Sequence, residues 1–259
     1  MPIRLPSIRR ENRMFQISEL NLHWIGILLL CLSTLSTGVI QRGMLGLDGS
    51  VSTEEMEQLL ASGAGQWAVQ AIMLSMAASL ALPLYARLLV EAVGQAEDRR
   101  MLLLELGGCA LISEVPYDWA MTGKLVDAGV QNPAWGLLLG GTMLLFFQRQ
   151  KSSSRGTVIA SQAVAVFAAA AWALLLRVRM GVPLVLLCAL FFFAYRAKKA
   201  WIAMVGGAAL TAFYFPAPLG LLLAYCYDNK SRARCRVFCV LYTVQLLAFG
   251  ILGTIMAAR

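Results

Sequence analysis

Residues 82–119 are predicted to form the end of one membrane helix, a short charged turn and most of the next helix, and four of their ionisable side chains are expected at membrane depth. They are Arg87, Glu91, Glu105 and Glu114. A charge near the centre of a lipid bilayer costs roughly 2.5–3.5 kcal/mol on insertion scales, so such residues generally face a partner or a water-filled cavity. If the chain has a catalytic or binding site, we therefore expect it in this stretch.

Arg87 and Glu91 are four residues apart, so they share one face of a helix and can form an ion pair. One interpretation is a structural pair near the cytoplasmic end of a helix; the other is a site in which Arg87 faces an anionic cofactor group. Glu105 follows on the next helix, beside Gly107 and Gly108. It is predicted either to reach a basic loop or to belong to the same site.

The segment after Glu114 reads Val-Pro-Tyr-Asp-Trp, residues 115–119. A proline lacks the backbone donor of a helix interior, so Pro116 predicts a helix end or a kink. Tyr117 and Trp119 suit a membrane interface. The pattern favours a helix end anchored by aromatic residues, with the mouth of a substrate site as the alternative.

His23 is the single histidine of the chain, beside Trp24 at the start of the first apolar run. This position predicts a polar anchor at the interface rather than a general base. Cys235 and Cys239 are four residues apart with no histidine nearby, so no metal site is predicted. No nucleotide-binding glycine loop, nucleophile elbow or zinc-protease motif is present in the sequence.

The composition is that of an integral membrane protein. Of the 259 residues, 59% are hydrophobic and 14% are charged, whereas soluble domains carry about 25% charged residues. The net charge of +8 arises mainly from Lys and Arg in short loops between apolar segments. That distribution indicates membrane topology rather than nucleic-acid binding.

We predict an all-α, polytopic membrane bundle of about nine transmembrane helices, with eight to ten possible. Residues 1–20 form a basic cytoplasmic arm, and residues 21–259 form one transmembrane domain. A short helix starting at Ser52 or Thr53 is predicted in the first loop. The predicted spans are Leu22–Ile40, Trp67–Val93, Met101–Val115, Trp135–Phe147, Thr157–Leu176, Met180–Tyr195, Trp201–Phe215, Leu219–Tyr227 and Val237–Ala257.

Most Lys and Arg residues lie on the side of the N-terminus in this arrangement, which places that side in the cytoplasm. The two segments around Pro216-Ala217-Pro218 are either two short spans or one broken helix. Two crossings keep the basic residues 230–236 on the cytoplasmic side, so the charge distribution favours two.

The sequence of residues 82–119 resembles that of the TraX family of polytopic membrane proteins. The resemblance rests on LPLYARLLVEA, a charged turn, and MLLLELGGCALISEVPYDW. It extends in order to LHWIGILLLCLSTLS at residues 22–36, NPAWGLLLGGTMLLFF at 132–147, AYCYDNK at 224–230 and VLYTVQLL at 240–247. The resemblance implies N-acetylation of conjugative pilin with acetyl-CoA, in the bacterial cytoplasmic membrane.

The chain departs from the family pattern at the acid–base positions. Ser33-Thr34 stands where the family has Asp-His, and Gln95 and Gln245 stand where it has histidines. Ser79 replaces an arginine, and an Asp-Tyr-Gly is lost near residues 176–178. None of these replacements supplies a general base near neutral pH. The residues retained from the pattern are Pro83, Glu91, Ser113, Pro116, Asn132, Tyr227 and Lys230.

Two functions follow from the resemblance and its departures. The favoured one is a non-catalytic subunit or binder in a membrane assembly, with a membrane or pilin-like protein as partner. The alternative is an acetyl-CoA-dependent N-acetyltransferase with Glu91 or Glu105 as its catalytic base. A small-solute transporter is a third possibility. The predicted substrate-binding residues are Arg87, Ser113, Glu114, Asn132, Tyr227, Lys230, Arg232, Arg234 and Arg236.

Overall fold

The computed structural model describes residues 17–47, 53–150, 154–228 and 235–258, and these are almost entirely helical. A pair of two-residue strands, β1 (Ile17–Ser18) and β2 (Tyr227–Asp228), accompanies the helices. The helices are α1 (Glu19–Thr34, continued by a π-helical segment over Leu35–Met44), α2 (Thr53–Ala61), α3 (Gly65–Ala78), α4 (Ala81–Gln95), α5 (Arg99–Thr122), α6 (Pro133–Arg149), α7 (Arg155–Leu175), α8 (Gly181–Arg196), α9 (Ala200–Thr211, followed by a 3-10 turn at Ala212–Tyr214), α10 (Ala217–Tyr225) and α11 (Cys235–Ala257).

Four helical stretches are long and apolar enough to cross a bilayer: Glu19–Met44, Gly65–Gln95, Arg155–Leu175 and Val237–Ala257. The all-α prediction is confirmed, and these stretches indicate a membrane protein. Nine crossings and a cytoplasmic N-terminus stay predictions. Most of the predicted arm, residues 1–20, lies outside the described residues; its last four form β1 and the first two residues of α1.

The second predicted span, Trp67–Val93, consists of two helices, α3 and α4, which meet at Ser79–Leu80. Pro83 has no N–H to donate to the carbonyl of Ser79, and the Leu82 N–H donates to that carbonyl instead, at 3.1 Å. The hydroxyl of Ser79 lies 2.6 Å from the carbonyl oxygen of Met76 and 3.0 Å from that of Tyr214. The missing proline donor and these Ser79 contacts, one of them with a residue far along the chain, explain the break within the span.

Pro116 does not end the third apolar helix, so that part of the prediction is wrong. Helix α5 continues through Pro116 to Thr122 and stops at Gly123, whose φ is +76°. A proline removes one hydrogen bond of the ladder. Burial of Tyr117 and Asp118, each 3% exposed, holds the next turn in place.

Helices α9 and α10 form a hairpin rather than one broken helix. A Cβ placed on Gly207 would lie 2.8 Å from a methyl of Leu221, so the two helices touch at that level. Gly207 lies four residues before the end of α9, and Leu221 lies four residues after the start of α10. The chain therefore reverses direction between Thr211 and Ala217, as two short segments require.

The buried core is centred on α4, α6 and α8. Its largest cluster includes Leu89, Val90, Leu144, Leu187 and Phe191, which are all less than 5% exposed. At one edge, β1 pairs with β2 in parallel, with Ile17 opposite Tyr227. This pairing fixes the chain after α10 beside the start of α1.

Helix α11 packs against α5 and the π-helical segment through glycines. A Cβ on Gly38 would collide with the carbonyl oxygen of Ala120, and a Cβ on Gly253 would collide with that of Gly38. Small residues allow membrane helices to approach closely. These backbones are in contact because neither position carries a side chain.

We expect Gly38→Ala to lower the free energy of unfolding by about 1–3 kcal/mol, because the added methyl has no space against Ala120. Gly108→Ala is the matched control, since a Cβ there meets no atom within 4 Å. It is expected to raise stability by about 0.5–1 kcal/mol through backbone entropy. Thermal unfolding in lipid nanodiscs measures both, and equal midpoints for the two variants would contradict the packing argument.

Candidate functional site

A cavity of about 210 Å³ lies between α1, α3, α4, α5, α6, α8 and α11. We call it the central cavity. Most of its wall is apolar, with Leu88, Leu89, Leu106 and Leu137 among the contributing side chains. An apolar pocket with a few convergent polar groups is the usual form of a ligand site. The polar groups of its wall include Glu19, His23, Ser33, Thr34, Tyr117 and Arg179.

His23 and Glu19 lie together in the wall of the central cavity. Ser18 caps α1 by accepting the Asn21 N–H at 3.2 Å, and this cap puts Glu19 in the first turn, one turn before His23. Nε2 of His23 lies 3.8 Å from Oε1 of Glu19. The imidazole stacks on the ring of Phe238, with ring centroids 4.3 Å apart and an interplanar angle of 14°. Two contacts, with Glu19 on α1 and Phe238 on α11, thus fix the orientation of the imidazole.

The His23–Glu19 pair is largely removed from solvent, with side-chain exposures of 11% and 16%. Within the described part of the chain, Nδ1 of His23 and Oε2 of Glu19 are buried without a hydrogen-bond partner. Because Nε2 faces the carboxylate, the tautomer with its proton on Nε2 leaves the lone pair of Nδ1 available. The arrangement can therefore accept a proton from a bound group.

The backbone brings both flanks of the basic segment, residues 230–236, close to the His23–Glu19 pair. The N–H of Ile17 donates to the carbonyl of Cys226 at 2.9 Å, so the chain after α10 lies against the start of α1. On the other side, α11 begins at Cys235, and its residue Phe238 carries the stack on His23. Lys230, Arg232 and Arg234 lie outside the described residues, as do the side chains of Tyr227 and Arg236. Their binding roles stay predictions.

Arg87 and Glu91 form the ion pair that their spacing predicts, with Nη1 of Arg87 2.6 Å from Oε2 of Glu91. Gln95 donates its Nε2 proton to Oε1 of Glu91 at 2.8 Å. The guanidinium also lies over the ring of Tyr195, 4.2 Å from its centroid. These contacts place both oxygens of Glu91 in hydrogen bonds within the helical bundle.

Neither predicted catalytic carboxylate lies in the wall of the central cavity. Leu88, Leu89 and Ala92 give the face of α4 that lines it, and Glu91 lies on another face. On α5, Leu102, Leu106 and Cys109 line it, and Glu105 lies between them on a partly buried face. The catalytic role of Glu91 or Glu105 stays a prediction, without contact to this cavity.

Three other predicted residues meet around the start of α6. The Asn132 side chain caps that helix by accepting the Ala134 N–H at 2.9 Å. Its Nδ2 donates to Oγ of Ser113 at 2.6 Å, and the hydroxyl of Tyr242 donates to its Oδ1 at 2.9 Å. Asn132 and Ser113 are fully buried. This network joins α5, α6 and α11 directly behind the cavity wall.

Glu114 lies next to this network. Nε1 of Trp135 donates to Oε2 of Glu114 at 2.8 Å. Within the described residues, Oε1 of Glu114 is buried without a hydrogen-bond partner. The contact orients the first turn of α6 against α5. Ser113, Glu114 and Asn132 therefore lie close together in a packing network, and none of the three lines the cavity. Their substrate-binding roles stay predictions.

Asn132→Ala is expected to lower stability by about 2–4 kcal/mol. It removes a helix cap worth about 1 kcal/mol and leaves the buried Tyr242 hydroxyl without its acceptor, at a cost of about 1–3 kcal/mol. Ser154→Ala is the matched control, because Ser154 caps α7 through Thr157 at an exposed position. Thermal unfolding should show the control losing only the cap contribution; equal losses would show that the buried network adds nothing.

The positions at which the chain departs from the family pattern fall in two places. Ser33, Thr34 and Ser79 line the central cavity. Gln95 holds Glu91, and Gln245 is a buried amide on α11 with no hydrogen-bond partner among the described residues. The replaced Asp-His position is therefore at the cavity, about three turns along α1 from His23.

Sequence reasoning missed the pairing of His23 with Glu19. The signal was available, because the two residues are four apart at the start of a capped helix. The interpretation of His23 as an interface anchor rested on its place before an apolar run. The structure instead places its side chain in the cavity wall, where Phe238 and Glu19 hold it.

Comparison with known proteins identifies the family of this chain. No curated protein and no solved structure matches the chain. A family model described as "TraX protein" matches residues 58–253. The match covers α3 to α10, most of α11, and every helix of the cavity wall except α1. By this match over most of its length, the chain belongs to the TraX family.

Proposed function

We propose that this chain is a membrane-embedded N-acetyltransferase, with His23 as proton acceptor and Glu19 as the carboxylate that orients it. One observation carries the proposal. A histidine with a carboxylate 3.8 Å from Nε2 and an unpartnered Nδ1 lies in the wall of the largely apolar central cavity. Nucleophile activation by a base that a third group orients recurs in acyl transfer on unrelated folds.

His23 accepts and returns the proton in the proposed reaction. The substrate amine must lose a proton as its nitrogen attacks the acetyl carbon, and Nδ1 of His23 accepts that proton. The bond between nitrogen and the acetyl carbon forms, and the bond between that carbon and the sulfur of coenzyme A breaks. The imidazolium then returns the proton to the departing thiolate. Glu19 stabilises the imidazolium while it is charged.

Residues 230–236 are the proposed binding segment for the acetyl donor, on one side of His23. Acetyl-CoA would supply the activated acetyl group, and its phosphates require cations. Lys230, Arg232, Arg234 and Arg236 supply four cations between β2 and the second residue of α11. The described flanks of this segment lie beside α1, which supports a donor whose phosphates bind these cations outside the cavity while its acetyl group reaches His23.

The acceptor is proposed to be an amine of a membrane or pilin-like protein partner, within the bacterial cytoplasmic membrane. The central cavity lies between helices that contact lipid, including α1 and α3, where Trp24, Leu28 and Met73 are exposed. An acceptor that is itself membrane-bound can approach from the bilayer. Nucleic acid is not among the proposed partners.

A non-catalytic binder is the second candidate, and the replaced positions favour it. Ser33 and Thr34 line the cavity where the family pattern has Asp-His. Gln95 is held in the Glu91 network, where the pattern has a histidine. In this alternative the same cavity binds a partner or ligand without acetyl transfer.

The test is transfer of a 13C-labelled acetyl group from acetyl-CoA to peptides with a free N-terminal amine. The full chain in lipid nanodiscs is the catalyst, heat-denatured protein is the control, and the mass of the peptide is the readout. We expect a time-dependent gain of one labelled acetyl group. No transfer, together with no thermal shift at millimolar CoA, would reject the enzyme and favour the binder.

A further inference from the structure

Arg179 is a cation in the wall of the central cavity that the proposed acetyl transfer does not use. It lies in the loop between α7 and α8. Its backbone is fixed to the loop before α6: the Arg179 N–H donates to the carbonyl of Gln131 at 3.0 Å, and the Gln131 N–H donates to that of Arg177 at 3.1 Å. The guanidinium is therefore held over the cavity by two loops.

The partners of this guanidinium carry no negative charge. Nη1 of Arg179 lies 3.7 Å from the thioether sulfur of Met121, a weak acceptor. The side chain is also close enough to the phenols of Tyr117 and Tyr242 to interact with them electrostatically. Among the described residues, no carboxylate lies within 4.0 Å of it. A partly buried cation without a counter-charge is costly, so a bound anion would stabilise it.

The His23 site lies well away from this cation. Gly250 of α11 packs against Trp119 and Ala120, next to Met121. Phe238, which stacks on His23, precedes Gly250 by twelve residues, or about 18 Å of helix. Between the two levels the cavity wall is mainly aliphatic, with Ile27, Leu30 and Leu137 contributing. The cavity thus has a cation at one level and a long apolar wall extending from it.

We propose that the central cavity binds a single-chain anionic amphiphile, with its head group on Arg179 and its hydrocarbon chain along the apolar wall toward His23. The phenol of Tyr117 would donate a further hydrogen bond to the head group, whereas the hydroxyl of Tyr242 already donates to Asn132. The shared chemistry is an anionic oxygen group, a carboxylate or a phosphate monoester, at the end of an alkyl chain. The proposal concerns binding and does not depend on acetyl transfer.

The volume of the cavity selects one chain rather than two. At about 210 Å³, it is smaller than the ~300–1,000 Å³ of typical small-molecule pockets. Each buried methylene contributes about 0.8 kcal/mol, so one chain along this wall gives useful affinity.

The experiment measures displacement of a fluorescent fatty acid from the full chain in nanodiscs. The competitors share one chain length and differ in head group: dodecanoate, dodecyl phosphate, dodecanol and dodecyltrimethylammonium. We expect displacement by the first two at concentrations at least tenfold lower than by the last two. Dodecanoate alone would identify a carboxylate site, dodecyl phosphate alone a phosphate site, and both a general anion site; each supports the proposal.

Arg179→Gln is expected to weaken binding of the anionic competitors by about 10- to 100-fold and to leave dodecanol unchanged. Arg177→Gln is the matched control, because Arg177 is exposed in the same loop and does not line the cavity. Ala78→Leu, which narrows the cavity from α3, is expected to weaken all four competitors. Equal binding of cationic and anionic heads, or unchanged binding in both Arg179→Gln and Ala78→Leu, would overturn the proposal.

Discussion

Replacing His23 with alanine is expected to lower the rate of acetyl transfer by about 10²–10⁴-fold, the usual contribution of a positioned general base. The physical reason is that Nδ1 of His23 is the proposed proton acceptor, and contacts with Glu19 and Phe238 hold the imidazole in the cavity wall. The measurement is the initial rate of labelled acetyl transfer to a peptide amine by the full chain in nanodiscs.

His23→Phe separates chemistry from packing. Phenylalanine keeps an aromatic ring for the stack on Phe238 and fills the same space, but it has no nitrogen. We expect a rate as low as that of the alanine variant, with a thermal midpoint closer to wild type. Glu19→Gln keeps the imidazole and weakens its orientation, so it should lose about tenfold. An active His23→Phe variant would exclude His23 as the base.

The sequence predicted the helices well because their signals are local. Asn132 caps α6 with Pro133 at its first position, and Ser154 caps α7. The predicted starts, Trp135 and Thr157, lie within three residues of these caps. Apolar runs located the other helices to within a few residues, except for the end of α5 and the division of the second span into α3 and α4. Caps and hydropathy act over a few neighbouring residues, so one sequence is enough to read them.

The end of α5 depended on packing that the sequence does not display. Pro116 is a strong local signal for a helix end, but Tyr117 and Asp118 are buried by other helices and the turn persists. The break between α3 and α4 has the same origin, because the Ser79 hydroxyl reaches the carbonyl of Tyr214, 135 residues away. Tertiary contacts of this range override local preference.

The candidate site was predicted only in part for a related reason. The i, i+4 pair of Arg87 and Glu91 is local and was found, but which helix face lines a cavity depends on the neighbours of the helix. Leu88, Leu89 and Ala92 line the cavity while Glu91 does not. His23 gains its significance from Phe238, which is more than 200 residues later in the chain. An isolated sequence does not bring these two rings together.

Glu91→Gln is expected to lower the free energy of unfolding by about 3–5 kcal/mol, the usual cost of removing one partner from a buried ion pair. The side chains of Arg87 and Glu91 are only 12% and 7% exposed, so water does not replace the lost carboxylate. Arg87 would lose the charge of this carboxylate while its guanidinium lies over the ring of Tyr195. Thermal unfolding in nanodiscs measures the effect. Glu57→Gln on the exposed face of α2 is the control, expected to change stability by less than about 0.5 kcal/mol.

The double variant Arg87→Met, Glu91→Met tests the same ion pair by removing both of its charges. Both charges are then absent, and two apolar side chains fill the space, so stability should return to within about 1–2 kcal/mol of wild type. If Glu91 is structural, acetyl transfer should return with it, because the cavity wall and His23 are unchanged. If Glu91 is instead the catalytic base, Glu91→Gln loses transfer, and the double variant stays inactive although its stability has returned. The two roles therefore give opposite outcomes in one pair of variants.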